Sequence, residues 1–396
     1  MLRSVIIKTS SGEINTEADD SLTLEGFLRT KRIPPNLFQA YKNIEQESIE
    51  PIPLDTFIFK IPDDNKIILQ CIRNIDLKDV LPQKTQFEKV SNPIISIPEF
   101  NFGENGCSQI IHELNQDSAK ELVKEKILNF TRITCESKTI VVGISGGGDS
   151  NTLAQGLKEF SIKYLEKKFV FFTIVFEPIW PKSAAERASE LCKKYSLNHL
   201  VYGNKEVEDL LGMKGSLDDF YKEYIDKFGN NTSHFFGTYL ISIVARKLCK
   251  KYDSTEYILG FNREDILSDL IFSLMNGQKP LSFPIRNFGN IRLLMPLWDI
   301  PKIVLDACYP NYSLSNYNER RGEQSTYQRN IIYYLAHGIE DMYPNLGLSI
   351  MQGVQKIFDN KWPELKIENG YDIFPSEYAN PEKIREVKEL LKKYFD

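Results

Sequence analysis

Residues 139–157 read TIVVGISGGGDSNTLAQGL, with three consecutive glycines between a strand-like run and a helix-like one. Ile140, Val141, Val142 and Ile144 form a short apolar run of the kind that fills a buried strand. Leu153, Ala154 and Leu157 then fall on one face of a helix. Glycine in such a place costs backbone entropy, so the turn needs a positive φ or a close approach by something else. A strand, a glycine-rich turn and a helix start bring backbone N–H groups and the positive end of a helix dipole together. That combination cradles anions, and phosphate above all. The junction therefore predicts an α/β fold with a phosphate site at a strand end.

The rest of the 396-residue chain sets limits on that reading. It is long enough for two or three domains with separate cores. With 42% hydrophobic and 26% charged residues it has the composition of an ordinary globular protein. A net charge of −5 gives no general pull toward nucleic acid. No apolar run is long enough to cross a membrane as a helix. The N-terminal MLRSVIIKTSSGE lacks the core of a signal peptide, and a cytoplasmic location is the expectation. The cysteines (Cys71, Cys107, Cys135, Cys192, Cys249, Cys308) include no CxxC, and the histidines are dispersed. Neither zinc nor an iron–sulfur cluster is expected from such spacing.

Periodicity divides the chain into four stretches, 1–78, 79–116, 117–335 and 336–396. In the first, a strand at Val5–Lys8, a second short strand and a helix carrying Leu24, Phe27 and Leu28 are followed by Pro34-Pro35 and further strands near 38–41, 57–60 and 66–72. This pattern resembles a β-grasp domain, especially its sulfur-carrier members. The final strand, however, runs on through CIRNIDLKDVLP instead of ending in the Gly-Gly that carriers activate, so a binding or positioning role is expected. Residues 79–116 are rich in Pro, Asn and Ser and read as a linker. Within 117–335, strands alternate with helices, which implies a doubly wound parallel sheet. The last stretch is mainly helical and ends in KIREVKELLKKYFD.

Ser145-Gly146-Gly147-Gly148-Asp149-Ser150 is neither a Walker loop nor a dinucleotide fingerprint. It resembles the SGGxDS signature of the PP-loop ATP pyrophosphatases, which cleave ATP between its α- and β-phosphates. The resemblance implies an adenine nucleotide alpha hydrolase-like sheet, ATP as ligand and Mg²⁺ as companion ion. The N–H groups of Gly146 to Ser150 and the two serine hydroxyls would hold pyrophosphate, with Asp149 acting through the metal. The backbone around Ile144 and Thr173 to Phe176 would bracket adenine.

Three further stretches extend the likeness over roughly 120–350. LGFNREDILSDLIFSLMNG (259–277) is similar to the GHxxDD segment of the branch containing tRNA lysidine and tRNA 2-thiocytidine synthetases. Gly260, Asn262, Arg263, Asp265 and Gly277 match, while Phe261 replaces the histidine and Glu264 the first acid. Asp265 is the candidate second catalytic or metal-binding carboxylate, with a capping role on the next helix as the alternative. In RLLMPLWDIPKIVLDAC (292–308), Pro296, Leu297 and Lys302 match and Met295 stands where an arginine is usual. Lys302 reads either as a phosphate contact or as an exposed helix lysine. Gln328-Arg329 and Pro344-Asn345 match the C-terminal helices of the thiocytidine branch.

The cysteine ligands of the thiolating relatives are missing: NNTSHFFG and YSLSNYN stand in their places. Cys249 reads as core, and Cys308 at a helix end reads as structural in preference to a sulfur acceptor. Lys250-Lys251, Arg320-Arg321 and Lys392-Lys393 are short basic pairs that read as solvated surface. The aromatic residues of FFGTYL and IIYYLAHG read as core filling.

The resemblance thus implies adenylation of a carbonyl or amide oxygen, with AMP and pyrophosphate as products and a nitrogen or sulfur nucleophile as the acceptor. A small molecule or partner protein is the expected substrate. A tRNA-modifying enzyme and a nucleotide-binding regulatory subunit without turnover remain as alternatives, and the oligomeric state is left open.

Overall fold

The computed structural model describes all residues except 45–47, 74, 104–105, 320–326, 360, 364–366, 369–370, 373–380 and 396. Arg320-Arg321 therefore lies outside the described residues. The chain divides into two units: Met1–Lys89 with Ser96–Glu113 and Gly338–Leu346, and Val90–Ile95 with Leu114–His337 and Gly347–Asp396.

The first unit opens with β1 (Leu2–Thr9) and β2 (Gly12–Asp19), followed by α1 (Leu24–Thr30). Next come β3 (Phe38–Ile44), β4 (Ser48–Ile52), β5 (Lys66–Cys71) and α2 (Leu77–Val80). The sheet order is β2-β1-β5-β3-β4, with β5 parallel to β1 and antiparallel to β3, which is a β-grasp-like arrangement. The Thr23 hydroxyl accepts from the Gly26 N–H at 2.9 Å and caps α1. Leu24, Phe27 and Leu28 join Val5, Ile7, Ile67 and Leu69 in one core.

The strand expected near 57–60 is instead a single 3₁₀ turn at Ile58–Lys60. Its backbone is anchored to the loop before α1: the Ile58 N–H bonds Leu22 O and the Phe59 N–H bonds Asp20 O. Only Ile58 enters the core, while Phe57 and Phe59 are exposed. The fourth strand of the sheet is Ser48–Ile52.

The stretch expected to be a linker holds β6 (Pro82–Glu88), β7 (Ile95–Gly103) and β8 (Gly106–Leu114), in the order β6-β8-β7. β6 is exposed along most of its length. A strand without a buried face leaves no period-2 signature in the sequence.

The second unit contains α3 (Gln116–Thr134), β9 (Thr139–Gly143), α4 (Gly148–Lys163), β10 (Lys168–Ile174), α5 (Lys182–Lys194) and β11 (Asn198–Tyr202). There follow α6 (Asn204–Leu211), α7 (Leu217–Phe228), α8 (Ser233–Lys251), β12 (Glu256–Ile258), α9 (Arg263–Met275), β13 (Ile285–Phe288) and β14 (Ile291–Leu294). Helices α10 (Lys302–Cys308), α11 (Pro310–Glu319), α12 (Tyr327–Met342), α13 (Leu346–Ile357) and α14 (Pro381–Phe395) follow, with a short antiparallel pair, β15 (Ile367–Glu368) and β16 (Tyr371–Asp372), before α14.

The sheet order is β11-β10-β9-β12-β14-β13, and every neighbouring pair is parallel except β13 with β14. Chain progression runs outward from β9 through β10 to β11, then restarts on the other side with β12. This is a doubly wound sheet whose switch point lies between β9 and β12. Ile140, Val141, Val142, Phe171 and Phe172 are fully buried, as strands covered by helices on both faces require. Among the described residues, no helix is long and apolar enough to cross a membrane.

Candidate active site

In a doubly wound sheet, ligands bind outside the carboxyl ends of the strands at the switch point. Here the two segments that leave those ends are the glycine loop after β9 and Gly260–Asn262 after β12. A hydrogen bond joins them, from Asn262 Nδ2 to Asp149 Oδ2 at 3.2 Å.

The loop is held from several sides. The Ile144 N–H continues the ladder to Phe172 O at 3.0 Å. Ser150 Oγ accepts from the Ser145 N–H at 2.8 Å and lies 3.0 Å from Ser145 Oγ, so the two serines brace the turn across its base. Gly146 has φ +73°, and Arg187 Nε donates to its carbonyl at 3.3 Å while the same guanidinium pairs with Glu319. A Cβ on Gly148 would meet the buried Ser313 Oγ at 2.1 Å, so α11 packs closely along the loop.

Helix α4 starts at Gly148, inside the motif and three residues earlier than its apolar spacing indicates. Gly147 is its N-cap and supplies no side-chain cap. The first-turn N–H groups of Gly148, Asp149 and Ser150 have no intrahelical acceptor. By contrast, Thr23, Asn115, Ser216 and Asn262 cap their helices with side-chain oxygens. A buried helix start without such a cap is the geometry of an anion site.

Lys302, one of the two readings of which was an exposed helix lysine, lies in this site. Its ammonium is 2.5 Å from Asp149 Oδ1 and 2.9 Å from Asp306 Oδ1. Burial alone would lower its pKa, but the charges and hydrogen bonds of Asp149 and Asp306 outweigh that and raise it. Lys302 is therefore firmly cationic. Burial pushes the Asp149 carboxyl upward, and Lys302 opposes that shift.

Asp265 occupies the third position of α9 and completes a capping box. Its Oδ2 accepts from the Asn262 N–H at 3.0 Å, and Asn262 Oδ1 accepts from the Asp265 N–H at 3.0 Å. Its other oxygen accepts from the Tyr333 hydroxyl at 2.7 Å. Tyr333 comes from the IIYYLAHG run expected to fill core. Glu264 accepts from the Lys302 backbone N–H at 2.9 Å and thereby ties the starts of α9 and α10.

Of the residues anticipated to hold ATP, Ser145 to Ser150, Gly260 and Asn262 line this junction, with Ile144 at its base. The Arg263 guanidinium turns instead to the Asp299 carbonyl, at 3.1 Å from Nε and 2.6 Å from Nη2. Phe176 is fully buried against Tyr221 and Phe236. The Thr173 hydroxyl bonds Ile144 O at 2.9 Å and His199 Nε2 at 2.9 Å, so its side chain is engaged within the fold. Cys308 is fully buried and its thiol, directed at Val304 O, is pushed up to about 12 by burial. That environment opposes the thiolate a sulfur carrier needs.

The carboxylates of Asp149 and Asp306 pair with the Lys302 ammonium, and Glu264 and Asp265 stand at the adjoining start of α9. This excess of negative charge suits a divalent cation, and Mg²⁺ commonly takes one or two carboxylates plus phosphate oxygens and water. Among the described residues, no three His, Cys, Asp or Glu side chains could hold a metal by themselves.

His199, wedged between Thr173 and Ser189, has a pKa lowered to about 4 by burial. The unfolded state takes up this proton first, so the stabilisation is complete above pH ~6.5 and is lost as pH falls toward ~4. The expected loss is on the order of 2 kcal/mol after allowing for partial exposure. Urea midpoints at pH ~7 and ~4.5 test it, and the difference should shrink in His199→Gln; an equal drop in both proteins would refute the assignment.

No protein-family model matches the sequence, and no curated protein matches it. Solved structures do align with it. The U34-tRNA thiolase NcsA from Methanococcus maripaludis, solved with its 4Fe-4S cluster, is 15% identical, over 62% of this chain and 81% of that one, with a TM-score of 0.49. The NH₃-dependent NAD synthetase from Campylobacter jejuni is 16% identical over 64% of this chain and 100% of that one, with a TM-score of 0.33. The FMN adenylyltransferase of Candida glabrata in complex with ATP is 13% identical over 48% and 63%, with a TM-score of 0.24.

Proposed function

We propose that the chain binds ATP at the β9–α4 loop and cleaves it between the α- and β-phosphates, transferring AMP to a carbonyl or amide oxygen. The observation that carries this reading is the buried start of α4, where a glycine N-cap leaves first-turn N–H groups open beside Asp149 and Lys302. The SGGGDS sequence supports it through its resemblance to the PP-loop ATP pyrophosphatases.

In this scheme the substrate oxygen attacks the α-phosphorus as the bond to the β,γ-pyrophosphate breaks. The loop N–H groups and the Ser145 and Ser150 hydroxyls bind the departing pyrophosphate, where negative charge accumulates. Lys302 adds a cation at the same place, and Asp306 keeps it oriented. A nitrogen or sulfur nucleophile then displaces AMP from the activated carbon. Asp149 and Asp265 would hold Mg²⁺, which when bound shields phosphate charge. The acceptor is a small molecule or a partner protein; the net acidity of the chain weighs against tRNA.

A second reading, ATP binding without cleavage, draws support from the ion pair that already engages Asp149. Purified protein incubated with ATP, alone and with RNA, protein and small-molecule fractions of a cell extract, separates the two. AMP and pyrophosphate, stimulated by one fraction, are expected. Bound ATP recovered intact under every condition would favour the second reading, and ADP with phosphate would exclude both.

A further inference from the structure

Helix α11 lays one face along the glycine loop. Ser313, Asn316 and Glu319 recur at every third residue of this helix and so share that face. Each of them meets a successive glycine. Ser313 Oγ lies 2.1 Å from where a Cβ on Gly148 would stand, and the Asn316 amide nitrogen lies 3.3 Å from the corresponding point on Gly147. Glu319 reaches Gly146 through Arg187, which pairs with Glu319 and donates from Nε to the Gly146 carbonyl.

The hydroxyl of Ser313 is the telling group. Its Oγ is closer to the Gly148 position than the Ser313 Cβ, at 3.4 Å, or the Ser313 nitrogen, at 3.6 Å, so it is aimed at the start of α4. Ser313 is only 3% exposed, and among the described residues its Oγ has no hydrogen-bond partner. Arg187 Nη2 is likewise enclosed and without a partner among the described residues. Leaving such groups unsatisfied is costly, and folded proteins rarely do so without a reason. Here they stand against a helix start whose own first-turn N–H groups are open. Hydroxyl, amide, guanidinium and backbone donors converge, and what they lack is an acceptor with several oxygens.

We infer that α11 is a second wall of the phosphate site, with Ser313 Oγ and the Asn316 amide donating to the pyrophosphate portion of ATP. The inference rests on the reading of the glycine loop as a nucleotide site and adds side-chain ligands to it. Arg187 is a positioning residue that keeps α11 and the loop in register.

Calorimetric titration of the full chain with pyrophosphate, a non-hydrolysable ATP analogue and AMP tests it. Ser313→Ala and Asn316→Ala should each weaken pyrophosphate and the analogue about tenfold or more, the usual loss for a hydrogen bond to a charged group. Affinity for AMP, which lacks those phosphates, should not change. Asn316→Asp should weaken pyrophosphate further than Asn316→Ala, because it sets a carboxylate against the phosphates. Without ligand, the urea midpoint of Ser313→Ala should equal or exceed that of wild type, since an unpartnered hydroxyl has been removed. Leu314→Ala, at an exposed position of the same helix, should bind all three ligands as wild type does. If wild type binds neither pyrophosphate nor the analogue, the nucleotide reading of the loop falls and this inference falls with it. If wild type binds them and Ser313→Ala and Asn316→Ala bind equally well, only the role of α11 is overturned. An equal loss of AMP affinity, or a ligand-free Ser313→Ala that is less stable than wild type, would overturn that role too.

Discussion

Gly146→Ala is expected to destabilise the second unit by about 2–5 kcal/mol and to abolish nucleotide binding. Gly146 has φ +73°, and a Cβ there would lie 2.3 Å from the Ala184 carbonyl oxygen and 2.9 Å from the Ala188 nitrogen. Both obstacles are backbone atoms of α5, which cannot rotate aside as a side-chain tip can. The chain would have to lift the loop from α5, and the Arg187 hydrogen bond to the Gly146 carbonyl would go with it. Gly212→Ala provides the control. It too has a left-handed φ, +68°, but a Cβ there meets nothing within 4 Å. It should show only the conformational cost, about 1–2 kcal/mol. Denaturant midpoints of both variants and of wild type decide the matter. Equal losses would mean that the close approach to α5 contributes nothing.

Part of this loop's geometry is written in its local sequence. Three glycines after an apolar run announce a strained strand-to-helix turn, and the hydroxyl and acid around them announce phosphate. Placement at a switch point is different, because it depends on strand order. Nothing in the spacing of β9 and β12 states that they are neighbours, since that pairing joins residues more than a hundred positions apart. Asn262 and Asp265 were legible through a segment similar to a family motif, and capping of the next helix was one of the two readings of Asp265; that Asn262 is the N-cap and Asp265 the third residue of a reciprocal box is visible only in three dimensions.

Lys302 illustrates a second limit. A lysine near a helix start usually faces water, and local pattern carries no sign of an acid supplied by another element. Tyr333 is hidden for the same reason: in an aromatic run its ring reads as packing, and only the hydroxyl reaching Asp265 sets it apart. In the first unit, Phe57 and Phe59 suggested a strand because β-propensity is high there, whereas the backbone bonds to the loop before α1 instead of to the sheet. Exposed β6 lacked periodicity altogether. Local signals were reliable where burial enforces them and silent where long-range pairing decides.

The Asp149–Lys302 pair yields the other large effect. Lys302→Met should cost about 2–4 kcal/mol, because it leaves a largely enclosed carboxylate without its ammonium. Asp149→Asn should cost less, since Asp306 stays beside Lys302 at 2.9 Å and the amide can still meet Asn262. The double variant should be more stable than the sum of the two losses, because the uncompensated charge is gone. Mg²⁺ adds a discriminating arm. If Asp149 and Asp265 form a cation site, millimolar Mg²⁺ will raise the melting temperature of Lys302→Met more than that of wild type, and will do nothing for the double variant. Both single variants should lose AMP formation by about 10²-fold or more, as removal of one charge-stabilising group does in other active sites. Additive stability losses with no Mg²⁺ response would reduce the pair to a structural ion bridge. Retained AMP formation in Asp149→Asn would remove this carboxylate from the chemistry and leave the loop N–H groups to act without it.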